Sequence, residues 1–387
     1  MSGIVLSASV RQNLLSLQAT ASLLATTQND LATGKKVNSA LDNPTNFFTA
    51  QGLDNRASDI GNLLDSIGNG VQVLQAANTG LTSLQSLVDS AKSIANQVLQ
   101  TPVGYSTKST STSTVLAGTA ANLVDGTDIK SGDVLAIAAT GGGTATSITF
   151  GASESLAQLN VALAANNLTA SLDSSNHLVI TTTNDAASST IGAITYTNTG
   201  GGTVTFGAVA APVADPASQS IRASLVAQYN GIITQITNTA QDASFNGVNL
   251  LNGDSLKLVF DETGKSTLSI TGVTYGATGL GLSSLAAGTD FLDNNSANKV
   301  LSSLSAASTS LRSEASALGS NLSVVQIRQD FNKNLINVLQ TGSSNLTLAD
   351  TNEEAANSQA LSTRQSIAVS ALSLANQSQA SVLQLLR

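Results

Sequence analysis

Apolar residues recur in alternating steps of three and four along four stretches of the chain. Between residues 4 and 33, which contain no Pro or Gly, these steps fall on Val10, Leu14, Leu17, Ala21, Leu24, Gln28 and Leu31. After a break at Gly34 the same spacing runs over 60–99, and it returns over 221–239 and 300–325. Such steps keep one stripe on one face of a helix, as in coiled coils. The chain is therefore predicted to consist mainly of long helices.

The C-terminal end carries two neighbouring apolar stripes instead of one. The first consists of Ile367, Ala371, Leu374, Ser378 and Leu385. The second consists of Ala368, Leu372, Ala375, Val382 and Leu386. A helix with two apolar stripes needs partners on more than one side. Periodicity alone leaves two interpretations of each stripe open, the core of an ordinary helical bundle and a surface for assembly.

The amino-acid composition changes in residues 104–216, which are rich in Thr, Ser, Gly and Ala. Short β-like runs lie at 134–138, 147–150, 168–172, 178–182, 191–197 and 203–209. Residues 154–166 have the pattern of one short helix. The regular alternation, with no Pro between Pro102 and Pro212, favours a folded α+β domain over a disordered tract.

Composition disfavours an enzyme. Only 10% of the residues are charged, against roughly 25% in an ordinary soluble domain. Aromatic residues make up 3% and Trp is absent, although large rings usually anchor ligand pockets. The absence of Cys and the single His177 exclude thiolate and multi-histidine metal sites, including the H-E-x-x-H motif. We therefore expect no cofactor, and we expect His177 to be a plain surface residue.

Net charge argues against nucleic acid as a partner, and the lack of a long apolar run argues against a membrane span. The net charge of −8 argues against nucleic acid, whose phosphates need a basic surface. No run of about 18 apolar residues predicts a membrane span. The N-terminus lacks the basic and apolar regions of a classical signal peptide, so any export is expected to use another route. Residues 1–29 carry only Arg11 and 365–386 carry no charge, so both ends are expected to pack against something.

Three segments, in order along the chain, resemble bacterial flagellins. The first, LATGKKVNSALDNP at 31–44, contains Lys35, Lys36, Asn38, Asp42 and Pro44. The second, FNGVNLLNG at 245–253, contains Phe245, Asn246, Gly247, Leu250, Leu251 and Gly253, which match a turn before the family's hairpin. The third is VLQLLR at 382–387. The resemblance covers about 1–103 and 217–387 and omits the segment inserted between them, residues 104–216.

The resemblance implies a fold that is mainly α with an α+β insert. Long coiled-coil-like helices would pair the N- and C-terminal segments, beside a small β-hairpin region and an outer Ser/Thr/Gly-rich domain containing β-structure. The expected domains are an inner terminal coiled-coil domain (1–33 and 345–387), a rod-like helical domain (34–103 and 217–344, with a hairpin at 255–274) and an outer variable domain (104–216).

The resemblance also implies a function, that of a structural subunit which self-assembles into the helical flagellar filament used for motility. Such a subunit would be secreted unfolded through the flagellar type III apparatus, and its partners would be copies of itself, an export chaperone, the cap and hook–filament junction proteins. Assembly would use the terminal stripes, at Val10, Leu14, Leu17, Leu24, Leu31, Ile367, Leu372, Leu374, Val382, Leu385 and Leu386. Two alternatives stay open: a hook–filament junction protein, and a secreted adhesin that acts through the outer insert.

Two finer expectations follow from the resemblance. Asp42 is similar to an acidic residue that ends a basic-to-acidic loop, so it would pair with Lys35 or Lys36 of another subunit. Residues 84–96 resemble the family's innate-receptor segment, in which receptor-active members carry arginines near Ser86 and Val88 and an acid near Asp89. Both basic positions are lost here, so we expect weak or no activation of receptor-expressing cells by the purified monomer.

Overall fold

The computed structural model describes residues 8–385 and divides the chain into two compact units. The terminal unit contains the residues up to Asn69, Lys257–Leu268 and the residues from Val324 onward. The central unit contains Gly70–Leu256 and Ser269–Ser323. The division into three domains expected above stays a prediction.

Six α-helices account for most of the described residues. They are α1 (Ala8–Thr33), α2 (Pro44–Gln100), α3 (Leu156–Ala164), α4 (Pro216–Asp242), α5 (Asn294–Thr347) and α6 (Thr351–Leu385). Helix α2 begins earlier than the apolar stripe, because Asn43 Oδ1 accepts the Asn46 N–H at 3.0 Å and Pro44 occupies the first helical position. The predicted fold class is confirmed, since α1 packs along α6 and an α+β insert separates α2 from α4.

In the described part of the chain, ten strands form four small sheets. In chain order they are β1 (Tyr105–Thr107), β2 (Thr110–Val115), β3 (Val134–Ile137), β4 (Thr146–Thr149), β5 (Leu168–Leu172), β6 (His177–Thr182), β7 (Ile194–Thr197), β8 (Val213–Ala214), β9 (Ser255–Val259) and β10 (Thr267–Thr271). The insert holds two three-stranded sheets, ordered β2–β6–β5 and β4–β3–β7. Pairs β1–β8 and β9–β10 form the other two.

The insert has its own hydrophobic core. Side chains from both three-stranded sheets and from α3 share it, including Leu123, Leu135, Phe150, Leu159 and Ile180. Helix α3 begins with a capping box, in which Ser155 accepts the Gln158 N–H and the Gln158 side chain accepts the Ser155 N–H. The expectation that this Ser/Thr-rich tract is folded is therefore confirmed.

The predicted strand at 203–209 is wrong. This segment forms no regular ladder with β2: it has isolated bridges at Phe206 and Ala210, and the N–H groups of Thr114 and Gly207 donate to the carbonyls of Thr205 and Thr112. The hydroxyls of Ser109 and Ser111 donate to the carbonyls of Ala210 (2.7 Å) and Gly207 (2.9 Å). Side-chain donors thus take positions that a regular ladder would give to backbone N–H groups.

In the central unit, α2 buries a regular stripe. Leu81, Leu84, Val88, Ala91 and Ala95 are all at most 1% exposed and follow one another at steps of three and four. A polar pair interrupts this apolar face where Gln85 Nε2 donates to the buried Ser308 Oγ at 2.9 Å, which joins α2 to α5. Burial of this stripe explains why a helix with several interior glycines is stable.

Candidate functional site

Helix α1 turns a mixed face inward in the terminal unit. Val10, Thr20 and Thr27 are buried, and Leu17 and Leu24 are half-buried. Thr20 is buried at low cost because its hydroxyl donates to the Ser16 carbonyl at 2.9 Å. Two residues of the predicted stripe lie elsewhere, since Leu14 is 36% and Leu31 is 39% exposed.

Helix α6 shows the two faces that its two stripes predicted. Its half-buried positions follow steps of three and four, at Ser358, Leu361, Gln365, Ala368, Leu372 and Ala375. Residues of the other stripe face solvent, with Ile367 64% and Leu374 69% exposed. Val382 and Leu385 lie in α6, but their side chains are outside the described part of the structure, and Leu386 lies outside the described residues.

The packed pair α1 and α6 therefore leaves large apolar side chains in solvent. We call this set the terminal apolar surface: Leu14, Leu15, Leu23, Leu31, Ile367, Val369 and Leu374, all at least 36% exposed. These helices also contain the two charge-poor ends of the chain, since residues 1–29 carry only Arg11 and residues 365–386 carry no charge. An exposed apolar set on charge-poor helices is typical of a protein interaction surface.

A second exposed stripe lies on α5 and was missed in the sequence. Val324, Ile327, Phe331 and Val338 are 44%, 65%, 54% and 66% exposed. Their spacing of three, four and seven places them on one helical face. Leu339, in contrast, packs against Ala57 and Ile60. The sequence did contain this stripe, one residue N-terminal to the positions at which the 300–325 pattern would continue.

The loop between α1 and α2 is held firmly in place. The N–H groups of Lys36 and Val37 donate to the Thr347 carbonyl (2.8 and 3.3 Å), and the Ala349 N–H donates to the Gly34 carbonyl (3.0 Å). Asn38 Nδ2 donates to the Lys35 carbonyl at 2.8 Å and to Asp30 Oδ1 at 3.2 Å. The family-like segment 31–44 is thus an ordered connection tied to the start of the α5–α6 link.

Asp42 closes a turn within this loop. Its Oδ2 accepts the N–H groups of Ser39 (2.8 Å) and Asn38 (3.0 Å) and the Ser39 hydroxyl (3.1 Å). Hydrogen bonds from Ser39 and Asn38 lower the pKa of Asp42 below its ordinary value. Lys35 and Lys36 are exposed and form no ion pair among the described residues. The pairing of Asp42 with a lysine of another subunit stays a prediction.

The turn at 245–253 ends α4 and leads into the β9–β10 hairpin. Asn246 and Gly247 have φ values of 49° and 80°, and Phe245 and Val248 exchange two backbone hydrogen bonds of 3.0 Å, as in a tight Asn-Gly hairpin turn. Asn249 Nδ2 caps the helix by donating to the carbonyls of Ala240 and Gln241. Leu250 and Leu251 are buried, and Gly253 has a φ of 91°.

The segment similar to the innate-receptor site lies on α2. Ser86 and Asp89 are exposed, whereas Val88 is fully buried. Asp89 accepts a hydrogen bond from Gln85 at 3.1 Å and lies 3.7 Å from the Lys92 ammonium. Only Ser86 and Asp89 of these three therefore present their side chains to solvent, and the weak receptor response stays a prediction.

No group of three or more His, Cys, Asp or Glu side chains between residues 8 and 385 is placed to hold a metal ion. His177 is partly exposed, with Nδ1 2.9 Å from Asp173 Oδ2. No described helix is long and apolar enough to cross a membrane. The apolar helix faces are therefore the strongest functional candidates.

Comparisons with known proteins agree on one family. Residues 5–115 match the bacterial flagellin N-terminal helical region, and residues 301–386 match the bacterial flagellin C-terminal helical region. Flagellin FljM of Caulobacter vibrioides is 32% identical over 165 residues, 42% of this chain and 59% of that protein. Flagellin FljO of the same organism is 30% identical over 165 residues, with the same coverage of both chains. Flagellin A of Rhizobium meliloti is 38% identical over 88 residues, 23% of this chain and 22% of that protein.

Proposed function

This chain belongs to the bacterial flagellin family, and we propose that it is a structural subunit that self-assembles into the helical filament of a bacterial flagellum. The chain spans 59% of the length of the Caulobacter relatives named above. The observation that carries the proposal is the pairing of α1 with α6, which leaves Leu15, Leu23, Ile367 and Leu374 more than half exposed. A second copy of the chain is the simplest partner for such a surface.

The energetics support burial of these helices between subunits. Apolar area removed from water contributes about 25 cal/mol per Å², so several hundred Å² per subunit contribute many kcal/mol before the costs of ordering and association are subtracted. Because these helices carry few charges, enclosing them between subunits costs little desolvation free energy. Contacts between unlike surfaces of one chain produce a helical polymer when the rotation from copy to copy does not close a ring.

The family relationship supports further parts of the proposal. The subunit would be secreted through the flagellar type III apparatus to an extracellular filament and would serve motility without a catalytic role. An export chaperone, the cap and hook–filament junction proteins would be its partners. Residues 1–33 with 345–387 would form the inner domain, 34–103 with 217–344 the rod-like domain, and 104–216 the outer domain.

Electron microscopy of the purified protein after salt-induced assembly tests the proposal. Filaments are expected for the full chain. A chain that ends at Asp350 lacks α6 but keeps the hydrogen bonds of Thr347 and Ala349 to the loop. We expect this truncated chain to stay a soluble, helical monomer, and normal polymerisation would contradict the role of the α1–α6 pair.

Point variants separate the exposed face of α6 from its inward face. Replacing Ile367 and Leu374 together by Ser removes two exposed apolar side chains and is expected to abolish assembly with unchanged circular dichroism. Replacing the half-buried Leu372 by Ser is the matched control, because it is expected to lower helicity as well. Filaments from the I367S/L374S variant at the normal rate would argue against this face.

A further inference from the structure

Leu41 is the most exposed large apolar residue among those described, with 95% of its surface in solvent. It follows Ala40 and precedes Asp42 in the turn Ser39–Asp42, which belongs to the loop that joins α1 to α2. Turn positions usually carry small or polar residues, because nothing in the chain itself covers them. Packing within one copy therefore does not explain a leucine here.

The turn holds Leu41 in a fixed position. The Leu41 N–H donates to Ser39 Oγ at 3.3 Å, and the Asp42 N–H donates to the Ser39 carbonyl at 3.2 Å. Asp42 Oδ2 accepts three further bonds from Asn38 and Ser39. A side chain presented on an ordered loop loses little conformational freedom when it binds, which favours association.

A cavity of about 510 Å³ lies in the same unit, between the loop, α2 and α5. Its most buried lining residues are Val37, Ala50, Ser343 and Thr347, and Phe47 is half-buried beside them. The Thr347 hydroxyl already donates to the Ser343 carbonyl at 2.9 Å. The buried Val37 and Ala50 and the half-buried Phe47 ring thus give the cavity an apolar part that a leucine side chain can contact, beside the hydroxyls of Ser343 and Thr347.

The charges of the loop and the cavity are complementary. The loop carries Lys36 and Asp42 on either side of Leu41, and the cavity is lined by Lys35 and Asp54. The receiving copy therefore offers Lys35 to Asp42 and Asp54 to Lys36 of the incoming loop, which also carries its own Lys35. An apolar anchor inside a cavity with polar groups around it is the usual anatomy of a strong contact.

We infer that Leu41 of one copy inserts into this cavity of a second copy. The inference rests on the proposed self-assembly and specifies one of its contacts. The donor turn and the receiving cavity are different surfaces of the same chain, so each copy gives one contact and receives one. Such a contact continues from copy to copy in a polymer when the rotation between copies closes neither a ring nor a two-fold pair.

Disulfide trapping tests the contact, because the chain has no cysteine of its own. Leu41→Cys and Ser344→Cys, a cavity residue, are made as two separate single variants. They are mixed in equal amounts, assembled in salt and oxidised, and covalent dimers are measured on non-reducing gels. The control replaces Ser344→Cys with Asn334→Cys, an exposed site on α5 about 15 Å along the helix.

We expect at least ten times more covalent dimer in the Leu41→Cys and Ser344→Cys mixture than in the control mixture or in either variant alone. Equal yields would overturn the inference. Electron microscopy of the same samples separates the two proposals. If filaments form without the specific dimer, this contact alone is overturned. If neither filaments nor the dimer form, self-assembly is overturned as well. As a second measurement, Leu41→Asp is expected to raise the critical concentration at least tenfold and Leu41→Met less than twofold, and equal values would contradict the contact.

Discussion

Gly80 shows how one missing side chain lets two elements approach. A Cβ at this position of α2 would lie 2.6 Å from Ala243 Cβ and 2.7 Å from Leu251 Cδ1. Both neighbours belong to the segment that ends α4 and forms the family-like turn. Helix propensity alone favours Ala over Gly, so close packing opposes propensity at this position.

We predict that Gly80→Ala lowers the free energy of unfolding by about 1–3 kcal/mol, because the added methyl overpacks the contact. Gly61→Ala in the same helix is the matched control, since nothing lies within 4 Å of its Cβ position. That control is expected to stabilise the protein by about 0.5–1 kcal/mol. Urea unfolding followed by circular dichroism measures both values, and a destabilising Gly61→Ala would refute the comparison.

Arg222 on α4 is fully buried without a carboxylate within ion-pair distance among the described residues. Its guanidinium donates to the backbone carbonyls of Val98, Thr101, Pro102 and Phe291. Burial lowers its pKa from the ordinary value, and the charge of Asp293 opposes this effect. The side chain thus caps the C-terminal end of α2 and fixes the link that follows.

We predict that Arg222→Met lowers the free energy of unfolding by at least about 3 kcal/mol, because four carbonyls lose their donor in a buried place. Arg222→Lys is expected to recover only part of this loss, since one ammonium cannot reproduce the planar fork. Thermal unfolding of both variants measures whether the parent is the most stable, the Lys variant intermediate and the Met variant the least stable. A Met variant as stable as the parent would show that water replaces the guanidinium.

At the scale of elements, the start of β3 depends on a buried carboxylate. Asp133 accepts the N–H groups of Lys130 (2.9 Å) and Gly200 (2.7 Å) and the Tyr196 hydroxyl (3.0 Å). Burial raises the pKa of Asp133, but these hydrogen bonds outweigh burial and leave the pKa below its ordinary value of 3.8. The ionised carboxylate therefore stabilises the sheet β4–β3–β7.

This stabilisation has a definite pH dependence. A lowered pKa in the folded state means that the contribution is complete above pH 3.8 and is lost as the pH falls below that value. We predict that hydrogen exchange in β3, corrected for its intrinsic pH dependence, speeds up as the pH falls below 3.8. Asp133→Asn is expected to exchange faster at pH 7 and to lose most of this acid response, whereas Tyr196→Phe, which keeps the carboxylate, should retain it.

Across the whole molecule, the insert leaves and re-enters the helical region at one point. The Gly104 carbonyl accepts the Asp215 N–H at 3.0 Å, and Tyr105 pairs with Ala214 in the β1–β8 sheet. The chain ends of the insert are therefore adjacent, and the insert has a core of its own. This arrangement allows the insert to vary without changing the helices.

We predict that replacing residues 105–214 with a two-glycine linker leaves assembly intact. The closed linker spans only the short distance already bridged by the hydrogen bond from Asp215 to Gly104. Electron microscopy is expected to show filaments that are thinner than those of the full chain. Loss of attachment to surfaces with unchanged motility would assign adhesion to the insert, and failure to polymerise would contradict its independence from assembly.

The sequence alone predicted the long helices and the folded insert, because apolar periodicity is a local property of the chain, whereas the turn at 245–253 was expected from the resemblance to flagellins. It also predicted two faces on α6. The tertiary structure decided which positions lie inside: Thr20 and Thr27 are buried while Leu14 and Leu31 are exposed. Burial depends on the partner helix and on whether a hydroxyl finds an acceptor, and neither is encoded in the spacing of apolar residues.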